Sequence, residues 1–481
     1  MRRLMLEWRL VAHSRLTTLA IVALFVLSTL SVWSGMRAME AQHAALARVM
    51  AVHQEDLGAV KARYANDGDA GYFAYYAFHL TSDPPPPLSF LAWGQRDLLP
   101  AAVRVRLLGL HSQLYESETV NPELALPGKF DFAFVLVYLA PLFIIVLMHD
   151  WVTAERESGR LRLMTSLPVQ PGRPWIMRAW LRYCLVLIPL MLPPLVGIAL
   201  ARSGWQAAGG VVLIAALYVG FWAALSMLIG ARARSSVASA TTALACFVCL
   251  TLLLPALANA AITRLVPAGK GVELAMAQRQ EVHQGWDAPK AATFAKFFRS
   301  HPEWRDTTPV TGRFHWKWYY AMHQAGDEAV EPLVHAYAES LRMRERWTGL
   351  AGWLLPAAAA QVGLHRMADT DLHAQLAYQE SIRQFHGRLR HYFYPYFFNE
   401  RRFGEADFRQ LPAYERRPSG GTPHAQALFA LALALVLSLA AAAGAIRALG
   451  GNPERPAGRG CKRSARSPRF RQNLSSGRRR G

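Results

Sequence analysis

The sequence predicts an all-α polytopic membrane protein: six transmembrane helices with two mainly helical extracytoplasmic insertions. Three observations predict it. Six apolar runs are each close to the roughly 20 helical residues that cross a bilayer. Two long polar segments, 36–130 and 262–424, interrupt them. Finally, the chain has 481 residues, 52% of them hydrophobic, yet a formal charge of +20, and that excess is gathered in a few short segments. The positive-inside rule explains this distribution better than a nucleic-acid groove does, so no nucleic-acid partner is expected.

Residues 1–15 read as an interfacial amphipathic helix. Leu4, Met5, Trp8, Val11 and Ala12 share one face, while Arg2, Arg3 and Arg9 lie off it, a pattern suited to lying in the membrane interface. The first span, 16–35, is uncharged after Leu16 and ends before Met36-Arg37. Its apolar run exceeds the roughly 7–15 residues of a signal-peptide core, so an uncleaved span is expected. The first insertion, 36–130, carries helical pattern over Glu40–Tyr64 and a turn-rich stretch from Ser82 to Pro87.

The second span, 131–149, contains Pro141, and the third, 179–201, contains Pro189, Pro193 and Pro194. The fourth is 207–230. The fifth, 236–261, carries Pro255. Proline in a membrane helix frees a carbonyl that neighbouring helices must satisfy. In the second insertion, Leu372, Leu376, Ile382, Phe385 and Leu389 fall on one helix face. Trp347–Leu364 is apolar but split by Pro356, and reads as a buried or membrane-surface segment rather than a span. Tyr392–Phe398, YFYPYFF, reads as core packing or an aromatic belt rather than a ligand platform. The last span is 425–447. The tail, 448–481, is basic and too poor in apolar residues to build a core. It suits contact with anionic membrane lipid, or is a dispensable extension.

Six spans place both termini on one side. Residues 1–15, 150–178 and 231–234 and the tail are arginine-rich and share that side, so both termini are expected in the cytoplasm of a bacterial inner-membrane protein. Cys184, Cys246 and Cys249 lie in apolar runs and read as packing residues, with Cys461 in the tail. No P-loop occurs: Gly128-Lys129 is followed by Phe130, and Gly269-Lys270 by Gly271. HExxH and GxSxG are absent as well. His365 and Asp369 share a helix-face spacing, but a solvated polar stretch is the simpler reading, so no metal and no cofactor are expected. Arg182 and Asp131 sit near span ends, and the mid-membrane regions carry no charge, which disfavours a proton-coupled carrier.

The segment with the densest chemistry is DWVTAERESGRLRLMTSLPVQPGR, from Asp150 to Arg173. Glu155, Arg156 and Glu157 stand together, Gly159 permits a tight turn, Arg160 and Arg162 alternate with Leu161 and Leu163, and Pro168 and Pro171 close it. A charge cluster between two spans suits docking a soluble partner. The run Gly128 to Val169 resembles permease subunits of ABC-2 type transporters, in which a span ends in a cytoplasmic segment of the form E-x-E-x-G-T-L followed by proline. Glu155, Glu157, Gly159, Leu161 and Pro168 match, and Arg160 stands where threonine is usual. Trp93–Leu98 and the stretch from Leu354-Leu355-Pro356 to Asp369-Thr370-Asp371 and His373 resemble the branch of that family with two large extracytoplasmic insertions, known under a domain-of-unknown-function label. The resemblance covers most of Met1 to Ile446. It implies a permease that is not itself an enzyme, driven by a separate ABC ATPase subunit, and paired as a homodimer or with a related permease. It also implies a coupling segment built on Asp150, Glu155, Arg156, Glu157, Gly159, Arg160, Leu161 and Pro168. The size of the second insertion supports a different expectation, a membrane-anchored envelope assembly or binding protein.

Overall fold

The computed structural model describes residues 14–115, 129–161, 173–269, 271–416 and 424–451. The interfacial positions Leu4, Trp8 and Val11, the proline Pro168 and the basic tail from residue 452 onward lie outside these residues. The described chain is almost entirely helical. Six of its helices are long and apolar enough to cross a membrane, as expected of a multi-pass membrane protein.

The first, α1 (Arg15–Tyr64), is a single helix of 50 residues that starts at the Ser14 cap. At 1.5 Å per residue it is about 75 Å long, so it continues far beyond the thickness of a bilayer. The expected first span and the Glu40–Tyr64 helix are therefore one element, because nothing between Gly35 and Glu40 breaks the helical pattern. Beyond it come α2 (Ala70–Tyr76), the strands β1 (His79–Ser82) and β2 (Ala102–Val105), and the short α3 (His111–Leu114). The strands pair antiparallel, with His79 opposite Val105. This small sheet departs from the all-helical expectation. Pro84–Pro87 lack N–H groups and force an extended connection that a helix could not supply.

The second apolar helix, α4 (132–148), opens with a π-helical turn at Val135–Leu139 ahead of Pro141. After a short helix, α5 (Thr153–Glu157), come α6 (Arg173–Leu200), α7 (Gly204–Arg232) and α8 (Ser236–Leu265). In α8 a second π turn, Val248–Leu253, precedes Pro255. The polar segment then folds as α9 (Gly271–Asp287), α10 (Lys290–Ser300), α11 (Trp316–Ala351), α12 (Pro356–Ala368) and α13 (Leu372–Phe398). The last long apolar helix, α14, is Ala425–Gly451.

Two of the proline-freed carbonyls find the partners that apolar surroundings require. Pro141 cannot donate to Val137, and the Tyr218 hydroxyl of α7 donates to that carbonyl at 2.8 Å. Pro194 cannot donate to Leu190, and the Ser28 hydroxyl of α1 donates to it at 2.8 Å. Helices α4 and α6 are thus each tied to a neighbour at a proline.

Two cores result. One joins the long apolar helices. The other is rich in aromatic residues and joins both polar segments into one body. Phe393, Tyr394, Phe397 and Phe398 are buried in this second core, so the YFYPYFF cluster is packing. Leu372, Ile382, Phe385 and Leu389 are also buried, as the helical face predicts. Phe90 links the bodies. It is fully buried, and its backbone and ring press so closely on Gly35 of α1 and Gly197 of α6 that neither position has room for a Cβ. Helix α12 also belongs to the first core: Ala357, Ala359, Ala360 and Leu364 pack with the long helices.

Candidate functional site

The segment after α4 turns sharply and presents its side chains to the ends of four long helices. Trp151 is buried, stands edge-on to Trp175 with ring centroids 5.9 Å apart, and fills the space beside Gly230 of α7. That anchor brings α5 against the α7–α8 turn. Thr153 accepts or donates a hydrogen bond with the Ser236 hydroxyl at 2.9 Å.

The three central charges then complete helix termini. Arg156 donates to the Ala231 carbonyl at 2.9 Å and to the Ala233 carbonyl, at the C-terminal end of α7. The last carbonyls of a helix lack internal partners and carry negative partial charge, which a guanidinium complements. Glu157 accepts from the Ser236 backbone N–H at 2.7 Å and from its hydroxyl at 3.0 Å, at the N-terminus of α8. A carboxylate suits the unpaired N–H groups found there. Glu155 accepts from Arg178 of α6 at 3.0 Å and from Arg160 at 2.7 Å. Asp150 pairs with Arg182 of α6 at 2.8 Å, and Arg182 also donates to the Leu147 carbonyl at 2.7 Å.

The sequence-predicted residues Asp150, Glu155, Arg156, Glu157, Gly159, Arg160 and Leu161 are therefore brought to one place. Gly159 has φ +74°, a left-handed conformation, and open space where a Cβ would sit. It is there for backbone freedom, not for close packing. Leu161 packs against the first core. Ser158, Gly159 and Arg160 are exposed and form the outer edge of this elbow. Their partners within the chain, Arg178, Arg182 and Ser236, were missed as site residues. Only the position of Arg182 near a span end hinted at one of them.

A cavity of about 1000 Å³ opens between α6, α7 and α14. Trp180, Tyr183, Gly220, Leu435 and Ala442 are among its lining residues, and Arg447 is the charged one.

The polar body contains a different kind of cluster. Asp327 accepts from the backbone N–H groups of Leu110 at 2.8 Å and His111 at 3.3 Å and pairs with Arg390. Burial works to raise the Asp327 carboxyl, yet Arg390, the nearby histidines and the Leu110 N–H hold it below the usual carboxylate range. His386 contacts the Arg106 carbonyl at 2.9 Å, and its pKa is lowered to about 3, first by burial and then by Arg390. His323 accepts from the Gly109 N–H at 3.1 Å and is lowered to about 4, again chiefly by burial. These contacts hold the β2–α3 connection against α11 and α13.

The stretches beginning at Trp93 and ending at Asp371 also meet. The Thr370 hydroxyl donates to the Ala92 carbonyl at 2.8 Å, and Gly94, with φ +52°, backs onto Thr370. Arg96 binds Asp83 at 2.8 Å, and Arg416 pairs with both Asp83 and Asp369. Asp131 accepts from the N–H groups of Phe134 at 2.9 Å and Trp93 at 3.0 Å, which fixes the start of α4.

A family model described as "Domain of unknown function (DUF3526)" matches residues 272–417. The match begins within α9 and ends just past Arg416, and so covers most of the second polar segment. No curated protein and no solved structure matches the chain. Among the described residues, no group of three or more His, Cys, Asp or Glu side chains is placed to hold a metal ion.

Proposed function

We propose that the protein is the membrane-spanning permease subunit of an ABC-2 type transporter, driven by a separate ATPase subunit that docks at the elbow of residues 150–161. The observation that carries this reading is the way the elbow ties four helices together. Arg156 holds the end of α7, Glu157 holds the start of α8, Glu155 and Asp150 hold α6, and α4 leads directly into the segment. A displacement of the elbow is therefore delivered to four of the six long helices at once. This is the mechanical property a coupling segment needs.

The inward contacts support a positioning role for the charges. Glu155 and Glu157 set the shape of the elbow, while Ser158, Gly159 and Arg160 form the edge a partner meets. In this reading the termini are cytoplasmic and the polar body lies outside the cytoplasm. Two permeases, identical or related, complete the translocation unit. The resemblance of residues 128–169 to ABC-2 permeases supports the same assignment.

Detergent co-purification with the candidate ATPase tests it. Wild type retains the ATPase, and Arg160→Glu lowers the retained fraction severalfold while membrane insertion is unchanged. If wild type retains no ATPase, the transporter reading fails. The chain is then better described as a membrane-anchored assembly or binding protein that works through its polar body.

A further inference from the structure

We infer that the corner between α11 and α12 is a lipid-binding wedge, which inserts Trp353 and Leu354 into the membrane leaflet on the side of the polar body. The inference requires only that the chain is a multi-pass membrane protein, and is independent of the proposed transport role.

Depth is set by contacts with α8. Arg344 of α11 donates to the Val266 carbonyl, the residue just past the end of α8, at 2.8 Å. Further along the chain, Ala351, Leu355 and Ala358 pack with Ala258 and Ile262. The end of α11 therefore runs back alongside α8, and the corner lies one to two turns, about 10 Å, inside the end of that helix. Helix α12 then returns. Gly363 packs on Ile214 and Ala427, Met367 on Gly210, and Arg366 meets Glu345 at 3.5 Å. A reversal at this depth is tolerated in a bilayer because α12 is buried among other helices.

The outward face matches the layers of a membrane interface. Arg342 and Arg346 are exposed and only loosely paired with Glu339, at 3.6 and 3.8 Å. Below them come Trp347, Leu350, Trp353 and Leu354, all exposed, with Leu354 at 81%. No charged residue lies between Arg346 and His365. Guanidinium groups at headgroup level, indoles at the boundary and leucine beneath is the order that interfacial anchoring requires. Helix α8, on which this corner packs, also carries exposed apolar side chains, Leu257 and Leu265. The occupant this arrangement fits is phospholipid: acyl chain against Trp353 and Leu354, phosphate against Arg342 and Arg346.

The test uses the full chain, with its four cysteines replaced, in vesicles of phosphatidylcholine and phosphatidylglycerol. A nitroxide label is placed at Leu354→Cys, with Leu257→Cys as the apolar-helix reference and Met276→Cys as the polar-body reference. Collision with oxygen reports lipid, and collision with a water-soluble nickel chelate reports water. Leu354→Cys is expected to match Leu257→Cys, with nickel collisions severalfold below those of Met276→Cys. Values matching Met276→Cys place the corner in water and overturn the inference. Low collision with both reagents shows a protein cover and overturns it equally.

Discussion

The two ends of the molecule use charge in opposite ways. At the elbow, Arg156 and Glu157 are directed at helix termini, and Glu157 is exposed to solvent. In the polar body, Asp327 is buried, Arg390 is nearly so, and the pair holds segments far apart in the chain. Complementing a helix end costs little desolvation and leaves the contact free to shift with its helix. Burying an ion pair commits both partners, because each is strongly unfavourable alone. In the proposed transporter, the elbow passes on a displacement and the polar body resists one.

The sharpest way to break this comparison is to remove one buried partner. Asp327→Ala leaves Arg390 buried and uncompensated and is expected to cost about 3–5 kcal/mol. Thermal unfolding in detergent, or protease resistance of the polar body, reads it. Glu157→Ala at the elbow should cost no more than about 1 kcal/mol by the same measurement, since exposed charges contribute little. Equal losses would remove the distinction.

The kink ties come next. Tyr218→Phe orphans the Val137 carbonyl and Ser28→Ala orphans that of Leu190, each expected to cost about 1–3 kcal/mol. Thermal unfolding of the two single variants and the double variant checks this. The sites lie on different helix pairs, so the effects should add.

The pH response separates the ends further. His386 and His323 titrate lower in the folded protein, at about 3 and 4, than the usual value near 6.5. The unfolded chain therefore binds more protons between those values. The stability they contribute is complete above about pH 6.5 and is lost as pH falls toward 4. Unfolding measured from pH 7.5 to 5 should show this loss, and His386→Gln should flatten the dependence.

A similarly small effect is expected for Gly159→Ala, a cost of about 1 kcal/mol from the left-handed backbone with no steric clash. Unfolding in detergent would register it. A larger loss would mean that the open space beside Gly159 is filled in the assembled protein.

Much of this was legible in the sequence. The six apolar helices follow from uncharged runs, and the buried face of α13 from its spacing. The elbow residues stood out as a charge cluster. Their partners did not, because Arg178, Arg182 and Ser236 lie in flanking helices and only folding brings them near. The interleaving of the two polar segments had no local signal either, since Asp327 meets Leu110 across more than two hundred residues. The β1–β2 pair was hidden by strands of four residues, too short for alternation to show.

The most direct measurement is site-specific photocrosslinking of the proposed complex with a candidate ATPase. A benzoylphenylalanine replaces Ser158 on the elbow edge or Met276 on the polar body. The account predicts a crosslink to the ATPase from position 158 and none from position 276. A crosslink from position 276, or none from 158 in a complex that still co-purifies, would contradict it.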